Sequence, residues 1–324
     1  MKFQKMFAVA MLATLSTAAL AEFPEKPVVL VVPFAAGGPS DRIARDVAEA
    51  MRKHLPQPVI VENAAGAGGT VGVAKVARSN ADGYTLLVHH IGMATAPALY
   101  RKLTYKVPDD FEYLGLINES PSTVITRPTM EANNFDELRK YIAANPGKLN
   151  LAHAGLGSAS HLCGLMLQSA LKADMVTIAY KGTAPAMSDL LGGQVDIMCD
   201  QATNAVPQIE AGRVKLYAVT SAQRSSQPAI ASAPTLAEAG LPGFNVSIWH
   251  GLYAPKGTPP AVLGKLNGAL RAALKDPDFI RKQEALGVSV VNDGRLEAAG
   301  HKKFVEDEMT RWSVVIKAAG QYAD

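Results

Sequence analysis

Three short stretches of this 324-residue chain set glycines, hydroxyls and titratable side chains side by side. The first is Phe34-Ala35-Ala36-Gly37-Gly38-Pro39-Ser40-Asp41, whose adjacent glycines let a backbone fold tightly and approach a ligand. Ser40 can cap a helix with Asp41 in its first turn, and the unpaired N–H groups of a helix start favour an anion. The second is His153-Ala154-Gly155-Leu156-Gly157-Ser158-Ala159-Ser160-His161, which repeats that character and adds two hydroxyls. It holds part of a GxGxxG fingerprint, but Ser160 stands at the third glycine, and a lone GxG is a weak dinucleotide signal. The third, Tyr180-Lys181-Gly182-Thr183-Ala184-Pro185-Ala186, offers Lys181 either as a partner for a carboxylate or as an ordinary solvated lysine. Asp200, just past an apolar run, could accept hydrogen bonds from a ligand or water, or could fix its own loop.

These residue types admit two chemistries. One is capture of an anion by backbone N–H groups and by the hydroxyls of Ser158 and Ser160. The other is nucleophilic catalysis by Ser158 or Ser160, with His161 or His90 as base and an acid such as Asp200. The GxSxG and GxxxxGK[ST] patterns are absent, so capture without chemistry is the favoured reading and an exported serine hydrolase the alternative. CxxC and HExxH are also absent, and neither a metal nor an organic cofactor is expected. Adjacent strand residues point to opposite faces, so only one of His89 and His90 is expected to face a cleft.

The elements that carry these stretches alternate. Val28 to Val32 reads as a strand buried on both faces, and Ile43, Val47 and Met51 mark one face of the helix that follows. Strands at Thr85 to His89, Leu149 to Ala154 and Val195 to Cys199 are each followed by loops and helical patterns, the last helix of these starting near Pro207. Asn134 with Glu137 forms a capping box. Repeated strand–loop–helix units imply α/β lobes, each with a mostly parallel sheet flanked by helices. Ligands of such sheets sit at the carboxyl ends of strands, which points at the loops after Val32 and after Ala154, one per lobe.

Export is written at the N-terminus. Lys2 and Lys5 precede an uncharged run from Met6 to Leu20, and Ala19-Leu20-Ala21 supplies small residues for cleavage before Glu22. That run is about 15 residues, short of the ~20 needed to span a bilayer. Losing both lysines takes the formal charge from +3 to +1. A nearly neutral chain without a basic stripe is not expected to bind nucleic acid. Cys163 and Cys199 are the only cysteines, and in an oxidising compartment they either pair or stay free.

Phe23-Pro24-Glu25-Lys26-Pro27, followed by Val31 to Asp41, resembles the Bug receptors, the periplasmic binding components of tripartite tricarboxylate transporters. The likeness continues in Val61-Glu62-Asn63, Gly66 to Gly69, Asp82 to Leu87, Gly157-Ser158 with His161-Leu162, and Tyr180-Lys181-Gly182. It runs on through Gly192 to Asp196, Pro234 to Gly240 and Trp249 to Pro255, covering nearly the whole exported chain. The resemblance implies a two-lobed, type II-like periplasmic binding protein with no cofactor. Residues 22–120 and 247–324 would form lobe one, and 121–246 lobe two. It implies carboxylate binding by Phe34, Ala35, Gly37, Gly38 and Ser40 from lobe one, and by Gly157, Ser158, His161 and Asp200 from lobe two. Many relatives carry Ser-Thr where this chain has Pro39-Ser40, and the proline removes one N–H donor. A distal pocket is placed at His89 to Thr95, with His90 at the ligand, and Ile91 and Met93 either form an apolar wall there or are simply core. That wall favours an aromatic or medium-length dicarboxylate over citrate. The implied partners are this small carboxylate and integral-membrane transporter subunits, and the implied state is a periplasmic monomer. A sensor-coupled receptor would share the same sequence features.

Overall fold

The computed structural model describes residues 23–320 and Tyr322, and the expected leader at residues 1–21 lies outside them. The β-branched run Val28–Val32 forms β1, followed by α1 (Pro39–Met51), β2 (Val59–Asn63), α2 (Thr70–Ala77), β3 (Thr85–His90) and α3 (Gly92–Leu99). Next come β4 (Phe111–Thr126), α4 (Phe135–Ala144), β5 (Asn150–His153), α5 (Ala159–Leu171), β6 (Val176–Ala179) and α6 (Thr183–Leu191). Then follow β7 (Ile197–Gln201), α7 (Ala202–Glu210), β8 (Lys215–Val219), β9 (Ser247–Pro255) and α8 (Pro260–Ala273). The chain closes with α9 (Pro277–Glu284), β10 (Ser289–Val290) and α10 (Ala298–Ala319).

Parallel pairing is confined to two groups, β2–β1–β3 and β6–β5–β7. The long strand β4 joins them. Its first part, Phe111 to Pro121, runs antiparallel to β9, and Ser122 to Thr126 run antiparallel to β7. Strands β9, β10 and β8 also pair antiparallel, so each lobe carries a parallel core with an antiparallel margin. That margin exists because β4 and β9 are the segments that pass between the two parallel groups. Register irregularities in the β4–β9 pairing bring Asn118 opposite His250, and β3 sets His90 on the other side of His250.

Local signals explain most element ends. Asn134 caps α4 by accepting from the Glu137 amide at 2.9 Å, and Glu137 in turn accepts from the Asn133 amide at 2.8 Å. Two expectations need correction. Ile91 and Met93 are fully buried in the main core at the start of α3, so they are not the wall of a distal pocket. Helix α7 begins at Ala202 and carries Pro207 inside it. Proline is favoured at the first helical position, but Pro207 is the sixth residue of α7, where it has no N–H to donate to the helix, so it does not mark the beginning.

Cys163 on α5 and Cys199 on β7 are bridged, with Cα atoms 5.9 Å apart. The bridge ties the helix that starts at Ser158 to the strand that ends beside Asp200. It closes a segment with a sequence separation of 36, for which loop entropy gives about 2–4 kcal/mol. The double variant Cys163→Ala/Cys199→Ala is expected to lose about that much in urea unfolding. An unchanged midpoint would show that the bridge contributes nothing.

The two lobes touch across their glycine loops. The Ala35 amide donates to the Lys181 carbonyl at 3.1 Å, and the Tyr100 hydroxyl lies 2.6 Å from the Leu156 carbonyl oxygen. Gly68 has φ +62°, and a Cβ there would overlap the Leu156 carbonyl oxygen. Gly68→Ala is therefore expected to part the lobes of the ligand-free protein, read as a larger radius of gyration in small-angle scattering. An unchanged radius would contradict this closed arrangement as the resting form.

Candidate functional site

Helices α1, α5, α6 and α7 all begin at one buried cavity between the lobes. Its lining includes Gly38, Pro39 and Ser40 from α1, and Ser158, Ala159 and Ser160 from α5. Thr183 opens α6, Asp200 and Gln201 precede α7, and Phe34, His90 and Ala154 complete the wall. Each helix start leaves N–H groups without a partner inside the helix, and the aligned peptide dipoles put partial positive charge there. Pro39 contributes no N–H, so α1 offers fewer donors than the other starts.

The sequence supplies side-chain anchors for two of these starts, α1 and α5. The Asp41 carboxylate accepts from the Gly37 amide at 2.9 Å, from Asn63 at 3.0 Å, and from Arg45 through two bonds of 3.0 Å. Burial pushes the Asp41 pKa up, but those hydrogen bonds outweigh it and hold the group below its ordinary value. Asp41 thus fixes the Phe34–Gly38 loop and is not a catalytic acid. In lobe two, Ser160 Oγ accepts from the Ala154 amide at 2.9 Å and Ser158 Oγ from the His161 amide at 3.3 Å. The two hydroxyl oxygens lie 3.2 Å apart and share one proton, which leaves the other proton free to face the cavity.

Of the residues expected at the ligand, Phe34, Gly38, Ser40, His90, Ser158 and Asp200 meet on this cavity. Ala35, Gly37, Gly157 and His161 do not line it. Ala35 makes the lobe–lobe bond, and Gly37 is tied to Asp41. The Gly157 amide donates to His161 Nδ1 at 3.2 Å, and the His161 ring stands against His153, centroids 4.8 Å apart. His161 is therefore a buried support for its own loop. Among the described residues, neither Ser158 nor Ser160 has an imidazole as hydrogen-bond partner, so the hydrolase arrangement is not assembled. Lys181 is exposed, as a solvated lysine would be.

His89 and His90 do not separate as strand parity demands. The strand ends at His90, and the two rings lie 4.6 Å apart, with Phe34 stacked 4.7 Å from His90. Only His90 reaches the cavity lining. Its Nδ1 accepts from the Gly92 amide, so Nε2 carries the proton, and burial lowers its pKa to about 3.

Two contributors were not anticipated. Thr183 Oγ1 and Gln201 Oε1 are buried without a hydrogen-bond partner. Buried polar atoms are nearly always paired, so these two mark places where something else should bond. The signal for Thr183 was present in the third glycine stretch, where the neighbouring Lys181 drew the reading. The signal for Gln201 was hidden by placing α7 too late.

The cavity is about 20 Å³ in this closed arrangement, room for one water molecule. A small organic acid needs more, so the lobes must part to admit and hold it. Two α/β lobes, joined by shared strands and enclosing helix starts, define the fold of a periplasmic solute-binding protein. The chain belongs to the tripartite tricarboxylate transporter receptor family, whose model matches residues 43–321. It is similar to the periplasmic binding protein BugD, with 48% identity over 93% of this chain and 100% of that one, TM-score 0.90. It is also similar to MatC from Rhodopseudomonas palustris with bound malate, at 40% identity, covering 91% and 100% of the two chains, TM-score 0.87. A second R. palustris protein, solved with adipate, is 31% identical over 92% and 99% of the chains, TM-score 0.87. No helix among the described residues is long and apolar enough to cross a membrane.

Asp200 gives the site a pH dependence. Its carboxylate accepts from the Gln201 amide at 2.9 Å and from Asn204, yet burial dominates and raises its pKa to about 7. The raised value means Asp200 is protonated and neutral below about pH 7 and charged above it. A bound anion is then repelled as pH rises. Affinity for an anion is expected to fall by up to about tenfold per pH unit above pH 7, and Asp200→Asn should flatten that profile. Titration calorimetry at pH 6, 7 and 8 checks this, and a flat wild-type profile contradicts it.

Proposed function

We propose that this protein is an exported receptor that closes two lobes around a small organic carboxylate and passes it to membrane subunits of a tripartite transporter. The observation that carries this reading is the convergence of four helix starts, with the unpartnered Thr183 hydroxyl as a donor, on one cavity. A hydrogen bond to a charged group contributes about 1.5–3 kcal/mol, and a helix start roughly 0.3–1 more. A micromolar Kd needs only about 8 kcal/mol net, so a few donors from each lobe suffice without an arginine. Family membership and the malate and adipate named for two similar proteins support the same class of ligand. With Ile91 and Met93 in the core, the case for an aromatic acid loses its wall, and a dicarboxylate is the better reading.

The strand pairings support lobe one as residues 22–120 with 247–324 and lobe two as 121–246, because β4 changes partners between Pro121 and Ser122. The apolar N-terminal run supports export to the periplasm, and the receptor is proposed to act as a monomer.

Calorimetry and thermal shift against a panel of dicarboxylates test the reading. At least one is expected to bind with micromolar Kd, and at a hundredfold excess over Kd to add about 2.7 kcal/mol of stability. Ser158→Ala should weaken that binding about tenfold. Ester or amide turnover that disappears in Ser158→Ala would instead establish the hydrolase.

A further inference from the structure

A hydrogen-bonded relay runs from Ser40 at the cleft through β9, β4 and α9 and back to Asp46 on the same helix α1. Ser40 Oγ lies 3.0 Å from His250 Nε2, and His250 Nδ1 lies 3.1 Å from Asn118 Oδ1. Asn118 Nδ2 donates to Gln283 Oε1 at 2.9 Å, and Gln283 Nε2 donates to the Asp46 carboxylate at 2.9 Å. Ser40 is 3% exposed and His250, Asn118 and Gln283 are fully buried, which shields the links among these four from bulk water, while the Gln283–Asp46 bond is part-buried.

The relay has one direction. A carboxylate only accepts, so Asp46 must face the Gln283 amide nitrogen. That turns the Gln283 oxygen toward Asn118, which must answer with its own nitrogen. The Asn118 oxygen is then left for His250, so His250 Nδ1 carries the proton and Nε2 is bare. A bare Nε2 takes the single proton of Ser40. What remains of Ser40 toward the cavity is lone pairs. The same chain argues against a serine–histidine nucleophile here. Asn118 is neutral and stabilises an imidazolium less than a carboxylate would, and burial keeps His250 uncharged.

We propose that Ser40 is a hydrogen-bond acceptor in the cleft, set by Asp46 through the relay, and that the ligand is therefore a hydroxy acid whose hydroxyl donates to Ser40. This rests on the carboxylate reading above and narrows it. The lobe-two side of the cavity offers donors, the free Ser158/Ser160 proton and the starts of α5, α6 and α7, which suit the carboxylate, beside the acceptor Gln201 Oε1. The lobe-one side offers Ser40 as an acceptor beside the His90 Nε2–H donor, and the Ser40 lone pairs suit the hydroxyl. An ammonium donor is disfavoured because the partial positive charge of the helix starts repels it. Asp46, Gln283, Asn118 and His250 are positioning residues.

Two measurements test this. Long-range proton–nitrogen NMR of histidine-labelled protein, assigned with His250→Gln, is expected to show His250 protonated on Nδ1. Protonation on Nε2 would overturn the relay. Calorimetry with pairs that differ by one hydroxyl, malate with succinate and tartrate with malate, is expected to favour the richer acid of at least one pair about tenfold. Ser40→Ala should bring that ratio to within about twofold of one. Acids that bind without regard to the hydroxyl, as a bridging water would allow, overturn this inference and leave the carboxylate reading standing. A protein that binds no acid at all refutes both.

Discussion

A helix start leaves backbone N–H groups that nothing inside the helix can satisfy, and four such starts are pressed against one buried cavity. Buried amides need acceptors, and dipoles that point the same way need negative charge. That requirement orders the rest of the molecule. Asp41 fixes the loop before α1, the Cys163–Cys199 bridge ties α5 to the strand before α7, and Gly68 lets the lobes approach closely enough to bring the starts together. Recognition of this kind is mostly backbone geometry, which is why no arginine or lysine needs to enter the cleft. Lys181, the one cation beside a helix start that invited such a role, points to solvent.

The shared strand β4 makes the geometry both rigid and able to move. One half of it is locked to β9 and the other half to β7, so neither lobe can drift without bending the same strand. The register of that pairing also determines chemistry. It aligns His90, His250 and Asn118 across three strands, which gives the lobe-one wall a fixed hydrogen-bonding polarity. The lobe-two wall has no such relay, and its two serine hydroxyls keep one free proton.

Much of this was legible in the residues. Gly37-Gly38 after a β-branched run, and Gly155 and Gly157 before Ser158, located the starts of α1 and α5 because a tight turn is written in adjacent positions. Ser158 is the cap of α5, whereas at α1 the cap is Gly38 and Ser40 lies inside the helix. Thr183 was within reach of the same logic. The remainder depends on contacts distant in sequence. Asn118 and His250 are 132 residues apart, and nothing in either neighbourhood reveals that irregularities in β4 bring them together. Ile91 and Met93 look alike in sequence whether they line a pocket or fill a core, since both roles need an apolar side chain. Pro207 is the converse case, because proline is favoured at a helix start yet here sits inside α7, where tertiary packing overrides the local preference.

The claim that the helix starts bind a carboxylate is tested most directly by a crystal structure of the protein saturated with a dicarboxylate. The account predicts a carboxylate whose oxygens lie within about 3.2 Å of backbone amides at the starts of α5, α6 or α7, with the Thr183 hydroxyl now partnered. An acid bound elsewhere on the molecule, with those amides still facing the closed cavity, would contradict it.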